Sequence, residues 1–198
     1  MMRIEDLQDA VYKISFNDDQ SSFEKIYTSF YNKLFRLSLS IVKCEEIAEE
    51  VYDDVMMNIW EKRQQLTHIN NFTVYLYVSV KNASLRHLSR NKKISHVNID
   101  EIDIEIEDFS PTIQEQMISQ EFLNKINNAI AQLPPQCKLV FKLVKEDGLK
   151  YKEVAEILNI SVKNVEYHMG NALKKIANTI SVDKKTFIRG NFKTILSN

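Results

Sequence analysis

Apolar side chains recur every three or four residues along most of this chain, the period of helices buried on one face. Residues 1–20 predict a weak helix closed by a polar turn, SFNDDQSS, where Ser21 or Ser22 would cap the next helix. That helix carries Phe23, Ile26, Tyr27, Phe30, Leu34, Leu37 and Ile41 in one core stripe. A third, about Glu45 to Arg63, turns Ile47 or Ala48, Val51, Val55 and Ile59 inward. A polar loop, Gln64–Asn71, precedes a fourth helix, Phe72 to about Arg90, with Leu76, Ser79, Val80, Ala83 and His87 along one side. The period then breaks. Ile99, Ile102, Ile104 and Ile106 alternate with acids until Pro111, which reads as an extended or disordered linker, a short edge strand being the competing reading. Helical spacing returns from Met117 to Leu133 through Ile118, Phe122, Ile126 and Ile130. Pro134 and Pro135 stop it, and Pro135 opens a helix that runs to Asp147, with Gly148 past its end.

The last periodic stretch, Gly148 to Ile176, predicts two helices joined by a tight turn. Val154, Ala155 and Leu158 share one face of the first; Asn159 tolerates the left-handed conformation of a sharp helix end, and Ser161 caps the second. There Val165, Met169, Ala172, Leu173 and Ile176 form the apolar stripe. The opposite face carries Lys163, Asn164, Tyr167, Gly170, Asn171 and Lys174, with His168 and Lys175 at its edge and no carboxylate. Donors, acceptors and cations on an exposed second helix suit a helix-turn-helix that enters the major groove. An amphipathic hairpin packed in any all-α protein is the plainer alternative.

Composition narrows the class. The 198 residues suffice for one large or two small domains, and three Gly and three Pro leave long stretches free to be helical. Cys44 and Cys137 stand far apart without a CxxC or a His partner, so neither a disulfide framework nor a zinc site is expected. The absence of a long apolar run points to a cytoplasmic protein. The net charge of −1 decides nothing, but its distribution does. From Cys44 to Glu61 every charge is negative, from Lys62 to Lys93 every one is positive, and from Asp100 to Asp108 all are negative again. Blocks of this kind suit different partners for different surfaces.

The acidic helix, with Glu46, Glu49, Glu50, Asp53 and Asp54, lacks a His or a Gly-rich loop beside it, so catalysis and metal binding are set aside in favour of docking on a basic partner, a merely solvated face being the alternative. The following helix interleaves Tyr75 and Tyr77 with Lys81, Asn82 and Arg86 on its other sides, which suits single-stranded nucleic acid; interior packing is the alternative for both tyrosines. His87 is expected to be a packed or capping histidine.

The run LPPQCKLVFKLVKEDGLKYKEVAEILNISVKNVEYHMGNALKKI resembles the fourth conserved region of bacterial sigma factors: a Leu-Pro pair, a helix, a Gly-Leu-(Ser/Thr)-Tyr-x-Glu-(Ile/Val)-Ala start, then Ser-x-x-x-Val in the recognition helix. EIAEEVYDDVMMNIWEKR followed by FTVYLYVSVKNASLRHLSRNKK is similar to the second region. Both regions with a short linker between them is the layout of the extracytoplasmic-function family. The resemblance covers about residues 20–178. It implies an all-α protein of two small helical domains joined by an acidic linker: residues 1–94 for core polymerase and the minus-ten element, 95–116 as linker, 117–180 as the helix-turn-helix domain, and a basic tail over 181–198.

The same resemblance assigns roles. Glu50, Asp53 and Asp54 would dock on core RNA polymerase. The Gln64–Asn71 loop with Tyr75 and Asn82 would capture unstacked minus-ten bases, and Lys81, Arg86, Arg90, Lys92 and Lys93 would hold the backbone. Lys163, Asn164, Tyr167, His168, Asn171 and Lys174 would read the duplex minus-thirty-five element. An anti-sigma factor is a further partner by family analogy. No cofactor, metal, small-molecule substrate or catalytic activity is expected. The chain departs from the family pattern at Lys150 for Ser or Thr, Asn159 for Gly, Tyr75 for Trp and Asn171 for Arg. A stand-alone helix-turn-helix regulator, dimeric on a palindrome, and a helical protein-interaction module are the competing readings.

Overall fold

Eight α-helices and no strand make up the described residues, 3–92 and 120–180, of the computed structural model. They fall into an N-terminal and a C-terminal unit. Lys93, the 95–116 linker and the 181–198 tail lie outside the described residues, as do residues 117–119 of the helix expected from Met117.

The N-terminal unit holds α1 (Ile4–Asn17), α2 (Gln20–Val42), α3 (Glu45–Glu61) and α4 (Phe72–Lys92). α1 ends at Asp18, whose φ of 51° is left-handed, a conformation that Asp adopts more readily than most residues. The cap of α2 is neither Ser21 nor Ser22, the two residues expected. Asp19 is the cap: its carboxylate accepts the Ser21 N–H at 3.2 Å and the Ser22 hydroxyl at 2.6 Å. A full negative charge at a helix N-terminus satisfies an orphan donor and suits the dipole, which leaves Ser22 to act as a donor.

α2 packs on both α3 and α4, and α3 on α4. Ile26, Phe30, Leu34, Leu37 and Ile41 meet Ala48, Val51, Val55, Ile59, Leu76 and Val80 in the core. Each large side chain so buried contributes about 1.5–3 kcal/mol. Of the two readings open for Tyr77, interior packing holds: it is fully buried. α4 is covered by two helices, so its buried arc is wide and takes in Tyr77 with Val80 and Ser84. Within that core the Ser38 and Ser84 hydroxyls pair at 3.0 Å, and Ser84 also donates to the Val80 carbonyl at 2.9 Å.

The polar loop expected over Gln64–Asn71 is ordered locally. Arg63–His68 form a 3-10 turn with Leu66 buried, because α1 packs over it. Asn71 caps α4, its side-chain oxygen accepting the Val74 N–H at 3.1 Å.

The C-terminal unit holds α5 (Gln120–Ala131), α6 (Pro135–Phe141), α7 (Tyr151–Leu158) and α8 (Val162–Ile180). α5, α6 and α7 all pack on α8. Pro135 opens α6, as expected, but that helix does not run evenly to Asp147. Lys142–Glu146 widen into a π turn, with the Asp147 N–H reaching the Lys142 carbonyl at 3.1 Å. Gly148 follows at a φ of +74°, the left-handed region where a side chain is strained.

Candidate functional site

The turn between α7 and α8 follows from three residues. Glu153 reaches back to accept the Lys150 N–H at 2.8 Å, so α7 begins with half a capping box although Lys150 itself gives no side-chain cap. Asn159 closes α7 at φ 56° and ψ 46°, and the Ile160 N–H bonds the Ala155 carbonyl at 3.0 Å. The Ser161 hydroxyl then accepts the Asn164 N–H at 3.1 Å and starts α8. Val165, Met169, Ala172 and Ile176 are buried, while Leu173 is half-buried.

This packing turns Lys163, Asn164, Tyr167, Asn171 and Lys174 outward, all exposed; Tyr167 has 66% of its surface open. Gly170 lies among them, and a Cβ there would meet nothing within 4 Å. His168 sits apart from this face. It is half-buried at the flank, its Nδ1 3.5 Å from Cys137 Sγ on α6. Burial pushes the Cys137 thiol up, against the pull of Lys175. Lys175 donates to the Gln132 carbonyl at 2.6 Å, tying α8 to the end of α5.

On α4, Tyr75, Asn82 and Arg86 share one side, opposite the buried arc, with Arg90 a turn further on. Asn82, Arg86 and Arg90 are exposed, and Tyr75 is half-buried with its ring stacked on Phe72 at 6.3 Å. Lys81 is not brought into that group. One residue before Asn82, it lies about 100° around the helix, and burial lowers its pKa from the usual ammonium range. Lys92 is the last residue of α4.

On α3, Glu45, Glu46, Glu49, Glu50, Asp53 and Asp54 are all exposed, with Met57 in line beyond them. Two tyrosines that the sequence did not connect to this face hold it from α2. The Tyr27 hydroxyl donates to Asp53 at 2.7 Å and that of Tyr31 to Glu49 at 3.4 Å. Their rings stack along α2 with Phe35, and the buried Tyr52 meets both edge-on. Desolvation first, then the Asp53 carboxylate, pushes the Tyr27 phenol up to about 12. Tyr31 and Tyr52 are raised as well, again chiefly by burial. The signal for this pairing was the i, i+4, i+8 spacing of Tyr27, Tyr31 and Phe35 at the margin of the apolar stripe.

Among the described residues, no three His, Cys, Asp or Glu side chains gather as metal ligands would, and no helix is long and apolar enough to cross a membrane. One unit thus presents an acidic helix beside a helix bearing cations, an amide and an aromatic. The other presents a helix-turn-helix with a polar, carboxylate-poor outer face.

Two family models match these units in order: sigma-70 region 2 over residues 26–94 and sigma-70 region 4 over residues 123–176. The chain belongs to the extracytoplasmic-function family of RNA polymerase sigma factors. It is 23% identical over 155 residues to the ECF RNA polymerase sigma factor SigM of Bacillus subtilis, covering 78% of this chain and 93% of that protein. It is 22% identical over 173 residues to the "Probable RNA polymerase sigma factor RfaY" of Xanthomonas campestris pv. campestris, covering 86% of this chain but only 43% of the longer relative. A solved complex of the sigma factor RpoE with the anti-sigma factor NepR from Bartonella quintana shares the fold, with a TM-score of 0.53, 19% identity, and coverage of 81% of this chain and 98% of that one. α1 lies wholly before the region 2 match, which begins within α2.

Proposed function

We propose that this chain is an alternative sigma factor that directs core RNA polymerase to a set of promoters and assists strand opening. The observation that carries this is the order of the matched regions, each on its own unit, with an acidic face on the first and a polar recognition helix on the second. The chain brings no catalytic group to the reaction; polymerase makes the RNA.

In this reading residues 1–94 bind core polymerase and the minus-ten element, 95–116 is the acidic linker, and 117–180 binds the minus-thirty-five element. Glu50, Asp53 and Asp54 dock on a basic surface of core polymerase, where exposed carboxylates set partner choice and association rate. Tyr75 and Asn82, with the Gln64–Asn71 segment, take unstacked bases, while Arg86, Arg90, Lys92 and Lys93 hold phosphates. Lys81 contributes from the flank of α4. On α8, Lys163 and Lys174 hold the duplex, Asn164, Tyr167 and Asn171 face base edges, and His168 helps to seat the helix on α6. Binding the melted state more tightly than the duplex shifts the equilibrium toward the open complex. An anti-sigma factor is a further partner, by analogy with the complexed neighbour.

Run-off transcription with sigma-free core polymerase and a library of promoter fragments tests this reading. Selective transcripts whose templates share two upstream elements are expected. A folded preparation that neither binds core nor gives transcripts, yet binds a palindrome as a dimer, would make the chain a stand-alone regulator.

A further inference from the structure

The 3-10 turn between α3 and α4 is anchored from outside the region 2 match. The Arg63 guanidinium, at the first residue of that turn, forms an ion pair with Asp18, the left-handed residue that ends α1. It also donates to the Trp60 carbonyl at 2.9 Å and lies 4.7 Å above the Trp60 ring. Trp60 in turn packs on Phe23 of α2, with ring centroids 5.1 Å apart. Arg63 is thereby held by α1 on one side and by the end of α3 on the other, and its side chain is only 23% exposed. Leu66, one turn later, is buried where α1 packs over the segment. Gln64, Gln65, Thr67 and His68 remain exposed around that anchored pair.

A short polar turn between two helices would otherwise sample several conformations, because nothing within it repays the entropy of ordering. Here it is fixed at its first residue by a planar, multiply bonded cation and at its centre by a buried leucine. A segment that discriminates bases by hydrogen bonding gains from such rigidity, since a misplaced donor bonds the right base no better than the wrong one. We propose that Asp18 and Arg63 are positioning residues for minus-ten recognition: through them α1 holds the Arg63–His68 turn in the geometry that selects the unstacked base. The proposal rests on the reading of this segment as the base-capturing one.

The test is transcription by core polymerase with the full chain, on promoter pairs that differ by one minus-ten base, with affinity for core measured in parallel. Gln65→Ala and His68→Ala come first; if neither alters the preference between paired templates, the segment does not read bases and the proposal falls with that reading. Given an effect there, Asp18→Asn is decisive, because Asn keeps both the size of Asp and its tolerance of the left-handed backbone. We expect the preference to fall about three- to fivefold, consistent with a partly exposed ion pair, and Asp18→Glu to restore most of it. Arg63→Met, which also removes the guanidinium stack and the carbonyl bond, is expected to cost about tenfold. Core affinity is expected to stay unchanged in all of these. An unchanged preference in Asp18→Asn and Arg63→Met, or an equal loss on both templates of a pair, would overturn the proposal.

Discussion

Three phenols on one side of the N-terminal unit do more than fill space. Tyr27 and Tyr31 use their hydroxyls on the carboxylates of the neighbouring helix, and Tyr52 donates to the Tyr27 carbonyl at 2.6 Å. The phenol of Tyr27 loses its proton near pH 10 in an unfolded chain and near 12 here. Below about pH 10 both states keep it protonated and its titration leaves stability unchanged. As the pH rises from about 10 through 12 the unfolded chain loses the proton first, so stability falls across that window. Thermal unfolding followed between pH 9 and 12 is expected to show the decline, and Tyr27→Phe to make it shallower; Tyr31 and Tyr52, raised in the same direction, keep part of it. The apolar stripe of α2 could be read from spacing alone, and so could the exposure of the acids on α3. Which tyrosine meets which carboxylate could not, because that depends on how two helices lie side by side rather than on either period.

At the scale of the element, the α7–α8 turn is where local chemistry and final structure agree most closely. Asn159 and Ser161 carry their own instructions, one for a left-handed backbone and one for a cap, and both need only neighbouring residues. The same is true of Gly148. Ser161→Ala is expected to cost about 1 kcal/mol, seen as a lower urea midpoint for the C-terminal unit. Gly170→Ala is expected to stabilise that unit by about 0.5–1 kcal/mol and so raise the midpoint, since the site is open space in mid-helix. If the same variant weakens binding to a minus-thirty-five duplex, the DNA backbone approaches α8 at that glycine. Elements whose form is set by tertiary contact were less legible. Arg63–His68 has no periodic signature and is ordered by α1 lying over it; Tyr77 is buried because α4 is covered on two sides. Lys81 is a different case: the 100° step of the helix already separates it from Asn82, and only its burial waits on the packing of α4.

Across the whole molecule, charge is segregated by element. The carboxylates of α3 and the cations that follow them on α4 belong to one unit, and the polar face of α8 to the other. Replacing Asp53 and Asp54 by Lys is expected to weaken core binding at least tenfold, as for close interfacial charges, with far-ultraviolet circular dichroism unchanged because both side chains are exposed. Titration of labelled protein with core polymerase measures it. On the other unit, Lys163→Ala and Lys174→Ala are each expected to reduce the slope of log affinity against log salt by about 1 in duplex binding, while leaving core affinity alone. Independent loss of the two activities would show that each unit carries its own recognition.

The paired hydroxyls of Ser38 and Ser84 have an evolutionary corollary. Both sit in a place without solvent, where Ser38 pairs with Ser84 and Ser84 also donates to the Val80 carbonyl. Losing Ser84 strands the Ser38 hydroxyl, whereas exchanging both for small apolar groups removes the demand along with the supply. The cheap mutational route therefore passes through two changes rather than one, and related chains should vary at these two positions in concert. A drift to a large residue at either would wedge apart the helices that cross there, and with them the spacing between the two working faces of the unit.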